Sequence, residues 1–207
     1  MCNTGVGLTP IVNGKVHHFG VVGAANGVSI MTDKETGSIW DSISGEAFNG
    51  PLKGSVLDRF PVFITTVTAE TKTHNGTRLF FSTFKSPKMF LLGLISKPLL
   101  GVQKRGFIPP HFFKSMSAPI DQRLPKLEQG LGVIVDKRAK YYPINRIPRD
   151  RDIHEDWNGR EMVIIRSSED GIPHAFWRDS GDLPMQLLSR WYGFAFSYPD
   201  CDIFEFT

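Results

Sequence analysis

The first 84 residues read as a β-meander. Residues 15–22 and 27–32 are rich in Val, Ile and Phe. Asn13-Gly14 and Asn26-Gly27 are dipeptides that favour tight hairpins because both residues accept positive φ. A turn at Lys34-Glu-Thr-Gly37 leads into a third short strand over 38–43, and 49–54 forms a loop. Residues 65–72 predict a short helix with a threonine N-cap. A turn at Asn75-Gly76 and a returning strand over 78–83 follow.

No strand alternation is visible over 85–130, where an apolar helix candidate at 89–101 joins a Pro-rich passage. Residues 131–135 and 138–142 then predict a hairpin around Asp136-Lys137. Strands at 161–166 and 173–178 flank a turn at Glu169-Asp-Gly171. Residues 184–196 carry Met, Leu, Trp and Phe at mixed spacing and predict a helix. The expected fold class is α+β, a mainly antiparallel β-sheet domain with a few short helices. The expected organisation is one domain over 1–207 with an inserted helical, Pro-rich segment at about 85–120.

Composition narrows this picture. A chain of 207 residues suits one large domain or two small ones. At 41% hydrophobic and 22% charged it is neither disordered nor fibrous. The net charge of +3 is too small to imply nucleic acid. Residues 101–151 do carry eleven Lys/Arg against four acids. Six prolines break any continuous basic helix there, so a solvated face is expected and a nucleic-acid partner is not. The apolar run at 89–101 is interrupted by Lys97-Pro98 and falls short of the ~20 residues of a membrane span, so no transmembrane segment is expected. No signal peptide is legible, which leaves the cytoplasm as the default compartment. The sequence leaves the oligomeric state open.

Cys2 and Cys201 are too few for a disulfide scaffold; a Cys2–Cys201 bridge and two free thiols both remain open. Cys2 with His17 and His18 is the most suggestive metal cluster, with Cys2 and His18 as candidate ligands and zinc or copper as the ion. Adjacent strand residues point to opposite faces, so one of the two histidines at most faces Cys2. The sharpest motif is Asp33-Lys-Glu-Thr-Gly-Ser-Ile-Trp40. Asp33 and Glu35 are candidates for a general acid/base pair, which needs two carboxyls converging on one point. Thr36 and Trp40 are candidates for ligand contacts. The alternative is structural: Asp33 and Thr36 close a tight turn, Gly37 supplies positive φ and Trp40 anchors the core.

Asp121 and Arg123 form a second candidate pair, since a guanidinium fork suits a carboxylate or phosphate; a structural ion pair is the alternative. His154 among Asp152, Glu155 and Asp156 resembles a hard-cation cluster, with a solvated loop as the default. His174 reads as a satisfied strand histidine, His74 as an exposed one, and His111 lies in the inserted segment. No GxSxG, HExxH or kinase signature is present.

Phe19-Gly-Val-Val-Gly23, the Asp33–Trp40 motif and Ser44-Gly-Glu-Ala-Phe-Asn-Gly-Pro-Leu-Lys-Gly54 stand in an order and spacing that resemble an uncharacterised prokaryotic family. That family is known as domain of unknown function 3179. Its members read like "FGVSG", "YDRETGSLW" and "TGEAIVGPLKG". The resemblance resumes at Asp121-Gln-Arg-Leu-Pro125, Leu131-Gly-Val133, Ala139-Lys-Tyr-Tyr-Pro143 and 191–200. Members commonly carry a CxxC segment where this chain begins, of which Cys2-Asn3-Thr4 matches the second half. The helix after Thr66 lacks the family's tryptophan. Homologues with export signals would suggest an extracytoplasmic ancestry. The resemblance implies no activity.

In the family a "GV…G-x-A-x-x-Y-P" hairpin precedes the cysteine strand, and here that pattern stands only at 131–143. Residues 131–178 therefore resemble a degenerate copy of that N-terminal half, expected to pair with the first strands and complete one sheet. Three functions are open. The first is a metal- or small-ligand-binding domain with its site near Cys2, Asp33 and Trp40. The second is an enzyme using Asp33, Glu35, Asp121 and Arg123. The third is a non-catalytic module presenting 85–130 to a partner.

Overall fold

A computed structural model describes residues 5–25, 28–80 and 119–205. The chain opens with β1 (Gly7–Leu8), β2 (Ile11–Val12) and β3 (Lys15–Val16). The β2–β3 turn is Asn13-Gly14, with φ of 50° and 74°, the left-handed pair that a two-residue hairpin requires. Next come β4 (Phe19–Ala25), β5 (Val28–Asp33), β6 (Ile39–Asp41) and β7 (Ala47–Asn49), an antiparallel meander in sequence order. The expected strand over 15–22 is therefore two strands, broken at His17-His18. β8 (Arg59–Phe60) pairs with β1. Helix α1 (Val67–Thr73) has the predicted cap, with the Ala69 N–H donating to Thr66 Oγ1. The strand expected at 78–83 does not form over 78–80, and 81–83 lie outside the described residues. So does most of the inserted segment.

The second half contains β9 (Gln129–Val135), β10 (Arg138–Pro143), β11 (Ile153–Trp157), β12 (Arg160–Arg166), β13 (Pro173–Trp177) and β14 (Met185–Arg190). Helix α2 (Trp191–Ser197) and β15 (Asp202–Ile203) complete it. One sheet runs β14-β9-β10-β15, the other β11-β12-β13. All pairings are antiparallel except β10 with β15. Among the described residues the architecture is thus mostly antiparallel sheets with two short helices.

Two expectations fail here. Residues 185–190 are a strand, not the first half of a helix. Their unbranched residues favour helix intrinsically, but pairing along β9 overrides that weak preference. β9 can be covered closely because it is glycine-bearing: a Cβ at Gly132 would collide with the Phe194 ring, and one at Gly130 with Tyr141. The expected single sheet is also absent among the described residues, since β9–β14 bond only to one another and to β15.

Core packing nevertheless crosses between the halves. Val28 and Ile43 join Leu124, Ile134, Tyr141, Leu187, Trp191 and Phe194 in one buried cluster. A second lies between β9, β10 and the β11–β13 sheet, and a third, around Trp40, lies under the first meander. Polar ties join the halves too: Arg59 Nη1 donates to the Tyr198 hydroxyl (2.7 Å). Asp170 Oδ2 accepts from Thr65 Oγ1 (2.8 Å) and the Thr66 N–H (3.1 Å). Cys201 is a buried free thiol, so the terminal bridge is not formed. Burial outweighs the nearby Arg123 and pushes that thiol up to about 11.

Candidate functional site

The β5–β6 connection builds its geometry around Asp33. The Gly37 N–H donates to the Asp33 carbonyl (3.0 Å), and Gly37 takes a φ of 70°, which a side chain would strain. Asp33 Oδ1 accepts from the Thr36 N–H (2.6 Å), and Thr36 Oγ1 lies 2.9 Å from both carboxylate oxygens. Trp40 Nε1–H donates to Oδ2 (2.8 Å). His17 Nδ1 lies 3.3 Å from Oδ1. Asp33 is 1% exposed. Burial raises its pKa, but the bonds from Trp40, Thr36 and His17 prevail and hold it at about 2. It is an ionised carboxylate at neutral pH.

Pairing of Phe19 with Asp33 delivers the histidines. His17 is buried and faces Asp33; its Nδ1 also lies 3.8 Å from Glu35 Oε2. His18 is exposed. Its ring Nδ1 sits 2.7 Å from Glu35 Oε1, and its backbone N–H donates to Oε2 (2.8 Å). These two bonds lower the Glu35 pKa below the usual carboxylate range. One ligand atom each from His17, Asp33 and Glu35 falls within 4.8 Å of the others. Thr36 and Trp40 hold the buried carboxylate from behind, and Trp40 is itself edge-on to Phe19 at 5.5 Å. Ser38 Oγ bonds Thr36 Oγ1 (2.7 Å) and accepts the Leu52 N–H (3.1 Å), which ties the 49–54 loop to this turn.

The other sequence-predicted residues lie elsewhere. Arg123 bonds Asp121 and donates to the carbonyls of Cys201 (2.8 Å) and Pro199 (2.7 Å), with Trp191 beneath it at 5.2 Å. Arg123 lowers the Asp121 pKa, and Asp121 raises that of Arg123. The pair pins the C-terminal segment, and no hydrogen bond or ion pair links it to Asp33 or Glu35 among the described residues. His154 is not in a loop but on β11, where it bonds Glu161 (2.7 Å). Glu155 is held by Lys140 (2.7 Å) and Tyr142 (2.8 Å). His174 is buried and stacked on Phe63 at 4.1 Å, and burial lowers its pKa. Cys2 and His111 lie outside the described residues. A cleft of ≈ 700 Å³, lined in part by Asp136, Arg138, Tyr198 and Asp202, contains none of the predicted site residues.

Fold and site together define a predominantly antiparallel β protein organised around one buried, ionised carboxylate with a histidine and a second carboxylate beside it. The chain belongs to the family described as "Protein of unknown function (DUF3179)", whose model matches residues 1–187. Neither the curated proteins nor the solved structures contain a match. No helix among the described residues is long and apolar enough to cross a membrane.

Proposed function

We propose that the protein is a metal-binding domain whose ion is held by His17 Nδ1, Asp33 Oδ1 and Glu35 Oε2, with zinc fitting best and copper next. The convergence of these three atoms carries the proposal. Tetrahedral zinc with bonds of about 2.0–2.1 Å separates its ligand atoms by about 3.3 Å. His17 Nδ1 stands 3.3 Å from Asp33 Oδ1 and 3.8 Å from Glu35 Oε2. Ligands must be deprotonated to bind, and Asp33 already is. Binding would shift the His17 proton from Nδ1, where it faces Asp33, to Nε2 and so free Nδ1 for the ion. Trp40 and Thr36 supply the outer hydrogen bonds that fix a ligating carboxylate. The core shared by Val28 and Ile43 with the second half supports treating the chain as one domain around this site.

An acid/base role for Asp33 is less well supported, because a carboxyl held at about 2 is far from the range in which it would exchange a proton near neutrality. A shared cleft with Arg123 lacks support too, since Arg123 is bound to the C-terminal segment. The test is elemental mass spectrometry on tag-free protein after zinc incubation and dialysis. Near-stoichiometric zinc is expected in the wild type and in Cys2→Ser, with roughly tenfold or greater weakening in His17→Gln and Glu35→Gln. Metal-free wild type overturns the proposal. So does zinc lost in Cys2→Ser but retained in His17→Gln.

A further inference from the structure

Arg190 closes β14 and is 7% exposed, yet its Nε and Nη1 are buried without a hydrogen-bond partner. No ion pair reaches it among the described residues. Guanidinium groups keep their proton in proteins, so this kind of burial is not relieved by neutralisation as it is for lysine. An uncompensated buried charge is among the costliest features a fold can carry.

The missing counter-charge is not hidden elsewhere in the side chains. All 21 Asp and Glu lie within the described residues, and the stretch 81–118 holds six Lys/Arg and no acid. Of the other arginines of the second half, Arg146 and Arg166 bond backbone carbonyls, and three more meet a carboxylate. Arg160 takes Asp179 in a bidentate pair, Arg178 takes Glu161, and Arg138 takes Asp202. Nor is the β14 face careless about polar groups. Alternation places Gln186, Leu188 and Arg190 on one side. There Gln186 exchanges two hydrogen bonds with the Ala175 backbone (2.8 and 3.1 Å). Opposite Arg190 stands Gln129, a neutral residue.

We propose that Arg190 is the recognition residue of an anion site, taking a carboxylate or phosphate group of a small ligand. Such oxyanions offer several acceptors and a charge, which is what Nε and Nη1 lack. The site is separate from the proposed metal centre and is tested without metal.

The experiment follows thermal unfolding of the full chain with a chelator present. Chloride is replaced at constant ionic strength by inorganic phosphate or by acetate. A saturable rise in the wild-type midpoint with one probe is expected, and which probe acts identifies the group. Arg190→Met should melt above the wild type in chloride and bind the active probe roughly tenfold or more weakly. A flat wild-type titration overturns the proposal, water then satisfying the guanidinium. A wild-type response retained in Arg190→Met also overturns it. If Arg190→Met does not fold, Arg190→Lys is titrated instead: a weakened response supports the site, and an unchanged one overturns it.

Discussion

Asp33→Asn isolates the electrostatic core of the first meander. The native carboxylate accepts hydrogen bonds from the Thr36 N–H, Thr36 Oγ1 and Trp40 Nε1, and His17 flanks it. These groups bring its pKa from 3.8 to about 2. At 1.36 kcal/mol per unit, that difference is worth about 2 kcal/mol of folding stability. A depressed pKa fixes the direction: the contribution is complete above pH ~4 and is lost as pH falls through about 2. The amide keeps the volume but turns two donor hydrogens toward a site lined by donors, leaving buried groups unsatisfied at about 1–3 kcal/mol.

Asp33→Asn should therefore cost about 2–4 kcal/mol at neutral pH, with the deficit shrinking by about 2 kcal/mol as pH falls from ~5 to ~2. Urea unfolding of both proteins across that range, with a chelator present, reads the difference. Asp170, also held at about 2, titrates in the same window but does so in both proteins and cancels. A neutral-pH difference under about 0.5 kcal/mol, or one that stays constant down to the acid limit, would refute the reasoning.

Trp40→Phe removes the indole donor while keeping an aromatic anchor. It should cost about 1–3 kcal/mol and raise the Asp33 pKa, which an NMR carboxyl titration follows. Gly132→Ala drives a methyl into the Phe194 ring beneath α2 and should cost about 1–3 kcal/mol or more in thermal melts. Gly20→Ala, which meets open space, serves as its control and should stay within about 0.5 kcal/mol.

What was legible in the sequence was local. Asn13-Gly14, the Asp33–Gly37 turn, the Thr66 cap and the β9–β10 hairpin rest on residues whose preferred backbone is set within four positions. β14 was not legible, because its conformation is imposed by β9 and by two glycines that let aromatic rings approach. β11 was missed for a different reason: its charges suggested a loop, although Asn158-Gly159, at φ of 57° and 83°, carries the same hairpin signal as Asn13-Gly14. In the site, Asp33, Thr36 and Trp40 could be named from one motif. Which histidine turns inward depends on a strand pairing sixteen residues away, and it is His17, with His18 left exposed. Arg190 carries no sequence signal, since its isolation exists only once every carboxylate has been placed.

The three segments that mark the family meet in one place, and the amount of structure invested there bears on function. The 33–37 turn needs two bonds to close, from Gly37 N–H to the Asp33 carbonyl and from Thr36 N–H to its carboxylate. The remainder exceeds that need. The Trp40 indole and the Thr36 hydroxyl fix the carboxylate's plane, and Ser38 fixes the hydroxyl. The 49–54 loop presses on Ser38 so closely that a Cβ at Gly50 would meet its backbone. A turn held only for its shape is served equally by asparagine, whose side chain can close the same kind of turn. Here the donors converge on a charge, and His17 and Glu35 stand on its remaining side. That arrangement makes sense if the charge itself is used, which the metal titration tests; Asp33→Asn, read with a chelator present, tests how firmly the charge is held.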